Sequence, residues 1–71
     1  MFFHILRFDS HKQAYTAEGG IRLIFGHRSI CGFSSDPHRC IFKTSQPLDE
    51  TQIKLIVKLT KPASFTLNLE M

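Results

Sequence analysis

The chain has 71 residues, of which 42% are hydrophobic and 21% charged, with a net charge of +3 and a pI near 9.2. These values are typical of a folded chain, and a chain this short forms one domain, residues 1–71, with a thin core. Its apolar runs are much shorter than the ~20 residues that span a membrane. Residues 1–8 lack the basic and apolar segments of a signal peptide, so we expect a cytoplasmic protein that does not enter membranes.

The positive charge is unevenly distributed along the chain. In residues 47–71 the lysines and the acidic residues balance, so the excess of +3 comes entirely from residues 1–46. All four histidines also lie in this first part. A positive field therefore belongs to whatever structure the first 46 residues form.

Three strands are predicted in the first third of the chain. Residues 1–8 are rich in Phe and Ile on both faces, which favours an inner strand. Residues 12–18 and 21–25 predict two further strands. Between them Gly19 and Gly20 supply the positive φ angles that a tight hairpin turn requires.

A second hairpin is predicted from residues 28–33 and 39–43, around the turn residues 34–37. In the register that separates apolar from basic side chains, Cys31 lies opposite Cys40. The other face of this hairpin is then basic, with Arg28, Ile30, Arg39, Ile41 and Lys43.

Residues 44–62 fit either a helix or a strand. Thr44 or Ser45 can cap a helix, acidic residues lie near its start, lysines lie near its end, and Pro62 stops it. The alternation of apolar and polar residues over 53–60 also fits a strand. The helix accounts for the cap, the charges and the proline together, so we predict a helix over about 46–60.

The predicted fold is α+β. It is a small antiparallel sheet of four to six short strands, with one helix on one face and a final strand over 65–71. The apolar stripe that packs this helix on the sheet is predicted as Leu48, Leu55, Ile56 and Leu59. An all-β small barrel is the alternative if residues 44–62 form a strand. The small core is also compatible with a homodimer.

Two cysteines and two histidines are the sharpest candidates for a special site. His27, Cys31, His38 and Cys40 are ligand types that bind zinc, although their spacing matches no zinc finger. A Cys31–Cys40 disulfide is a second reading. The favoured reading is two reduced cysteines packed as small hydrophobic residues, with no metal and no cofactor.

The sequence predicts a binding protein rather than an enzyme, because no nucleophile signature or phosphate loop is present. The leading hypothesis is a small regulator or inhibitor that acts by contact with another protein. The alternative is a nucleic-acid-binding module that uses a basic sheet face. The residues predicted to contact an anionic partner are Arg7, Arg22, Arg28, Arg39 and Lys43.

Overall fold

A computed structural model describes residues 1–26, 30–36 and 38–70, with side chains for 1–26 and 38–70. The elements follow the order β-α-β-β-α-β, and the four strands form one sheet with the order β2-β3-β1-β4. Each neighbouring pair of strands is antiparallel. The predicted α+β class is confirmed, and this connectivity is the split β-α-β, or ferredoxin-like, arrangement. The elements are β1 (Phe2–Arg7), α1 (His11–Phe25), β2 (Ile30–Asp36), β3 (Arg39–Thr44), α2 (Glu50–Thr60) and β4 (Ser64–Glu70).

The largest correction concerns residues 11–25, which form helix α1 and not a hairpin. Buried residues recur every three or four positions at Ala14, Ala17 and Ile21, which is the period of a helix packed on one face. Neither Gly19 nor Gly20 has a positive φ angle, so the turn-forming capacity of this pair is not used. With a second helix in place, the predictions of a single helix and of an all-β alternative are both wrong.

Signals for the two ends of α1 are present in the sequence. Ser10 is the N-cap, and its hydroxyl oxygen accepts a hydrogen bond from the backbone N–H of Gln13 at 3.2 Å. Gly26 ends the helix with a φ angle of 71°, a positive value that glycine adopts at no steric cost. The Ser10 and Gly26 signals both favour a helix, whereas two adjacent glycines favour a turn.

The predicted second helix is confirmed, with a later start than expected. Its cap is Asp49 rather than Thr44 or Ser45: Asp49 and Gln52 form a reciprocal capping box. Glu50 and Lys54 make the i,i+4 ion pair that the sequence indicates, at 3.2 Å.

The face that α2 packs on the core differs from the predicted stripe. Leu48 and Ile56 are buried as expected, but Leu55 and Leu59 are 41% and 58% exposed. Ile53 packs against the core in their place. The stripe shifts because the helix begins at Glu50, and Leu48 reaches the core from the preceding loop.

The β2–β3 hairpin forms, but the predicted pairing of Cys31 with Cys40 is wrong. Ser35 lies opposite Cys40, because β2 continues to Asp36 and β3 begins at Arg39. The Ser and Asp residues that predicted a turn extend the strand instead. The register differs by four residues, an even number, so the side-chain alternation predicted for β3 is unaffected.

Strand β4 contains a bulge opposite His4, in the middle of its pairing with β1. Asn68 adopts a φ angle of 58° there, in the left-handed region. Its side chain accepts a hydrogen bond from the Leu48 backbone N–H at 2.7 Å and donates one to the Leu48 carbonyl at 3.1 Å. A regular strand would place Phe65 and Leu69 on one face, but the bulge separates them. Phe65 pairs with Leu6, and Leu69 pairs with Phe3 on the other face.

Both helices pack on one face of the sheet, and the core lies between them. Phe42 is fully buried at its centre, with the ring of Phe25 from α1 at 5.9 Å. Leu6 and Ile56 contribute from β1 and α2. Burying each of these large side chains stabilises the fold by about 1.5–3 kcal/mol.

His4 is a fully buried polar residue inside this core, and both ring nitrogens are satisfied. Nδ1 accepts a hydrogen bond from the Asn68 backbone N–H at 3.0 Å. Nε2 therefore carries the proton and donates to the Thr44 hydroxyl at 2.7 Å. The Thr44 hydroxyl in turn donates to the Gln46 carbonyl at 2.6 Å. A neutral imidazole satisfies every partner, and desolvation lowers the pKa of His4 from 6.5 to about 4.

This network makes the stability of the fold depend on pH. Between pH 6.5 and about 4 the unfolded chain binds a proton at His4 that the folded chain does not, so acid favours unfolding. We expect His4 to account for a loss of about 3 kcal/mol over this interval, at ~1.4 kcal/mol per pH unit. Urea unfolding of the wild type and of His4→Gln from pH 7 to 4 measures the difference. Parallel pH profiles for the two proteins would contradict this role of His4.

Candidate functional site

One face of the sheet is not covered by the helices, and we call it the open face. On β1 and β3 the side chains alternate strictly: His4, Leu6, Cys40 and Phe42 are buried beneath the helices, and their neighbours point away. The strand pairing places matching residues of β4 on the same side. The described side chains of the open face are Phe3, Ile5, Arg7, Arg39, Ile41, Lys43, Ser64, Thr66 and Leu69.

The two central strands, β1 and β3, arrange the open face as three successive cross-strand pairs. Phe3 lies opposite Lys43 at one end. Ile5 lies opposite Ile41 in the middle, and both are half-buried. At the other end Arg7 lies opposite Arg39, so an apolar centre is flanked by cations at both ends.

Phe3 and Lys43 form a cation–π contact. The Lys43 Nζ lies 4.9 Å from the centre of the Phe3 ring. Both side chains are half-buried, so part of the ring and part of the lysine stem remain in contact with water. An aromatic face and a positive charge are therefore available at one place on the sheet.

The pairing of Arg7 with Arg39 brings two positive charges together. Like charges directly opposite each other in a sheet are destabilising. Arg7 donates a hydrogen bond to the Thr66 hydroxyl at 3.3 Å, which holds it along the sheet. Arg39 is exposed, and its backbone pairs on the other side with Asp36. The two arginines place positive charge on neighbouring strands at this end of the open face.

The five cations predicted for an anionic partner separate into three groups. Arg7, Arg39 and Lys43 lie together on the open face. Arg22 does not: it lies on α1 and makes an ion pair with Glu18 at 3.1 Å, because residues 11–25 form a helix and not a strand. Arg28 lies outside the described residues.

Phe3 is the residue of this face whose importance sequence reasoning missed. A base could stack on Tyr15 or on a surface Phe, but Tyr15 lies on α1, on the helical side of the sheet. The alternation over residues 1–8 places Phe3 on the same face as Arg7, which is the signal that could have identified it.

The residues predicted as possible zinc ligands do not come together in the described part of the chain. Cys40 is buried and free, and His38 is exposed. The side chains of His27 and Cys31 lie outside the described residues. Within residues 1–26 and 38–70, no group of three or more His, Cys, Asp or Glu residues could hold a metal ion.

The core position of Cys40 determines the chemistry of its thiol. Desolvation, with a contribution from the Glu18 carboxylate, raises the pKa of Cys40 to about 12. Cys40 is a free thiol, and the strand pairing places Ser35 opposite it, where the sequence predicts Cys31. Cys40 therefore packs as a small hydrophobic residue, as the favoured reading predicts.

The Cys40 thiol should be unreactive in the folded protein. In a Cys31→Ser variant, Cys40 is the only thiol, and we expect no alkylation by iodoacetamide at pH 8 until urea unfolds the chain. Mass spectrometry of the labelled protein measures this. Rapid labelling without urea would show that the thiol is accessible and ionised.

Neither helix in the described part of the chain is long and apolar enough to cross a membrane. Comparison of the chain with protein-family models, with curated proteins and with solved structures finds no match. The open face, with its aromatic ring and its cations, is the candidate functional site.

Proposed function

We propose that this protein binds single-stranded nucleic acid on the open face of its sheet. The observation that supports this is the ladder of cross-strand pairs on β1 and β3: Phe3 with Lys43, the two isoleucines, and Arg7 with Arg39. Single-strand binders combine cations that contact the backbone with aromatic rings on which bases stack. Four-stranded sheets with aromatic residues on an open face are one known platform for this.

Charge favours an anionic partner over a second copy of the chain. The described side chains of the open face include three cations, Arg7, Arg39 and Lys43. In a two-fold symmetric dimer through this face, each copy would present the same positive pattern to the other. A polyanion avoids this repulsion, because its charge is opposite to that of the face.

The geometry of the face suits an extended strand. Arg39 and Lys43 are four residues apart on β3, about 13 Å along an extended chain. A phosphate at the arginine end and a base at the phenylalanine end would therefore belong to different nucleotides. In this pose Lys43 leaves the Phe3 ring for a phosphate oxygen, and a base takes its place on the ring.

A regulator or inhibitor that contacts an acidic protein surface is the second candidate. The observation that favours it is the apolar centre of the open face, since Ile5 and Ile41 offer area that nucleic acid does not need. Leu69, which is 43% exposed, extends this centre onto β4. Positive charge around an apolar centre is also suited to an acidic protein surface.

Fluorescence anisotropy with a labelled single-stranded oligonucleotide at several salt concentrations tests the proposal. With up to three phosphates contacted, log K should fall with log salt with a slope of about −2. Reversing two charges with Arg39→Glu and Lys43→Glu should abolish binding. The matched control is the double variant Lys54→Glu and Lys58→Glu, which places the same charges on α2 and should bind as the wild type does.

Two substitutions at Phe3 separate stacking from apolar burial. Phe3→Tyr keeps an aromatic ring and should retain affinity. Phe3→Leu keeps the half-buried apolar side chain and should lose about 1–3 kcal/mol of binding free energy, the value of one stacked base. If the wild type shows no salt-dependent binding, nucleic acid is rejected, and the protein-binding candidate takes its place.

A further inference from the structure

A second concave surface lies on the other side of the molecule, between the two helices. It is a groove of about 530 Å³ that runs along α1 and ends against the C-terminal end of α2. This volume lies within the range of small-molecule sites. The apolar part of its wall is formed by Ala17, Gly20, Leu23, Ile24 and Leu59.

Two leucines make this groove unusual for a surface. Leu23 is 88% exposed and Leu59 is 58% exposed, although both lie on helices beside the core. Single exposed leucines need no explanation, but these two line the same groove. An aliphatic chain lying between them would cover both.

Gly20, like Gly19 beside it, has no structural reason to be glycine within the described chain. Its φ angle is not positive, and a Cβ atom built there meets nothing within 4 Å. A glycine inside a helix costs about 1 kcal/mol relative to alanine. Its usual compensation is the close approach of another group to the backbone, and Gly20 forms part of the groove wall.

One end of the groove is positively charged. Lys12 is the one charged residue among those that line it, and it has no ion-pair partner among the described residues. The first turn of α1 contains no acidic residue, in contrast to α2, which has Glu50 there. Lys12 therefore supplies the full positive charge at this end of the groove.

We propose that the groove binds an amphipathic monoanion, with an aliphatic chain between Leu23 and Leu59 and an anionic head group at Lys12. From Lys12 to Leu23 the helix extends about 16 Å, which accommodates a medium-length chain. The hydroxyls of Thr16 and Thr60 line the groove and already donate to backbone carbonyls, so the cation is the group that selects the charge of the ligand. This site lies on the helical side of the sheet and is independent of the open face.

Amide chemical shifts recorded during a titration with decanoate test the proposal. We expect saturable shifts around residues 12–24 and 59–60. Decyltrimethylammonium, which has the same chain and the opposite charge, should bind more weakly. Lys12→Gln should reduce the affinity for decanoate by about threefold to fivefold, as for an exposed ion pair. The control Lys54→Gln, on the surface of α2, should leave it unchanged.

A pair of glycine variants tests the position of the chain. Gly20→Leu fills the groove and should abolish the shifts, while Gly19→Leu, at the adjacent position outside the groove, should not. A Cβ meets nothing within 4 Å at either position, so both variants should keep the wild-type amide spectrum. Equal affinity for the anionic and cationic probes, or unchanged decanoate binding by Gly20→Leu, would overturn the proposal.

Discussion

A single buried imidazole connects the parts of this fold that are most distant in sequence. His4 receives a hydrogen bond from β4 and donates one to β3, and its ring lies 4.8 Å from that of Phe42. Through Thr44 the network reaches the loop before α2, and through Asn68 it reaches Leu48 in the same loop. A chain of 71 residues has a thin core, so directional bonds of this kind add specificity that apolar contacts alone do not supply.

The two helices differ in how well sequence patterns predict them. For α2, the acidic start, the lysines near the end and Pro62 all favour the same structure, and the local signals agree with the fold. For α1 the signals conflict: Gly19 and Gly20 favour a turn, whereas the cap at Ser10 and the spacing of buried alanines favour a helix. Packing of the Ala14–Ile21 stripe on the sheet decides the outcome, and such tertiary stabilisation is not visible in residue propensities.

The sequence predicts which side chains of one strand share a face of the candidate site. It does not predict which strands lie side by side there. Arg39 and Lys43 are four residues apart on one strand, so the alternation of side chains places them on the same face. A change of register by an even number of residues leaves that face unchanged. Which strands lie beside β3 depends on long-range pairing, and pairing with β1 is what brings Phe3 and Arg7 to these residues. A strand over residues 21–25 places Arg22 on the sheet, so its position on α1 follows only from the helix.

The bulge at Asn68 also influences how the outer edge of β4 meets other chains. A sheet edge is a template for further strands, and natural proteins interrupt such edges to prevent aggregation. Because the bulge reverses the alternation, Phe65 and Leu69 project from opposite faces of the strand. An incoming strand would find no continuous apolar ridge along this edge, and the left-handed residue would interrupt its hydrogen-bond ladder. The contact that seats β4 on His4 thus also protects the sheet from uncontrolled growth.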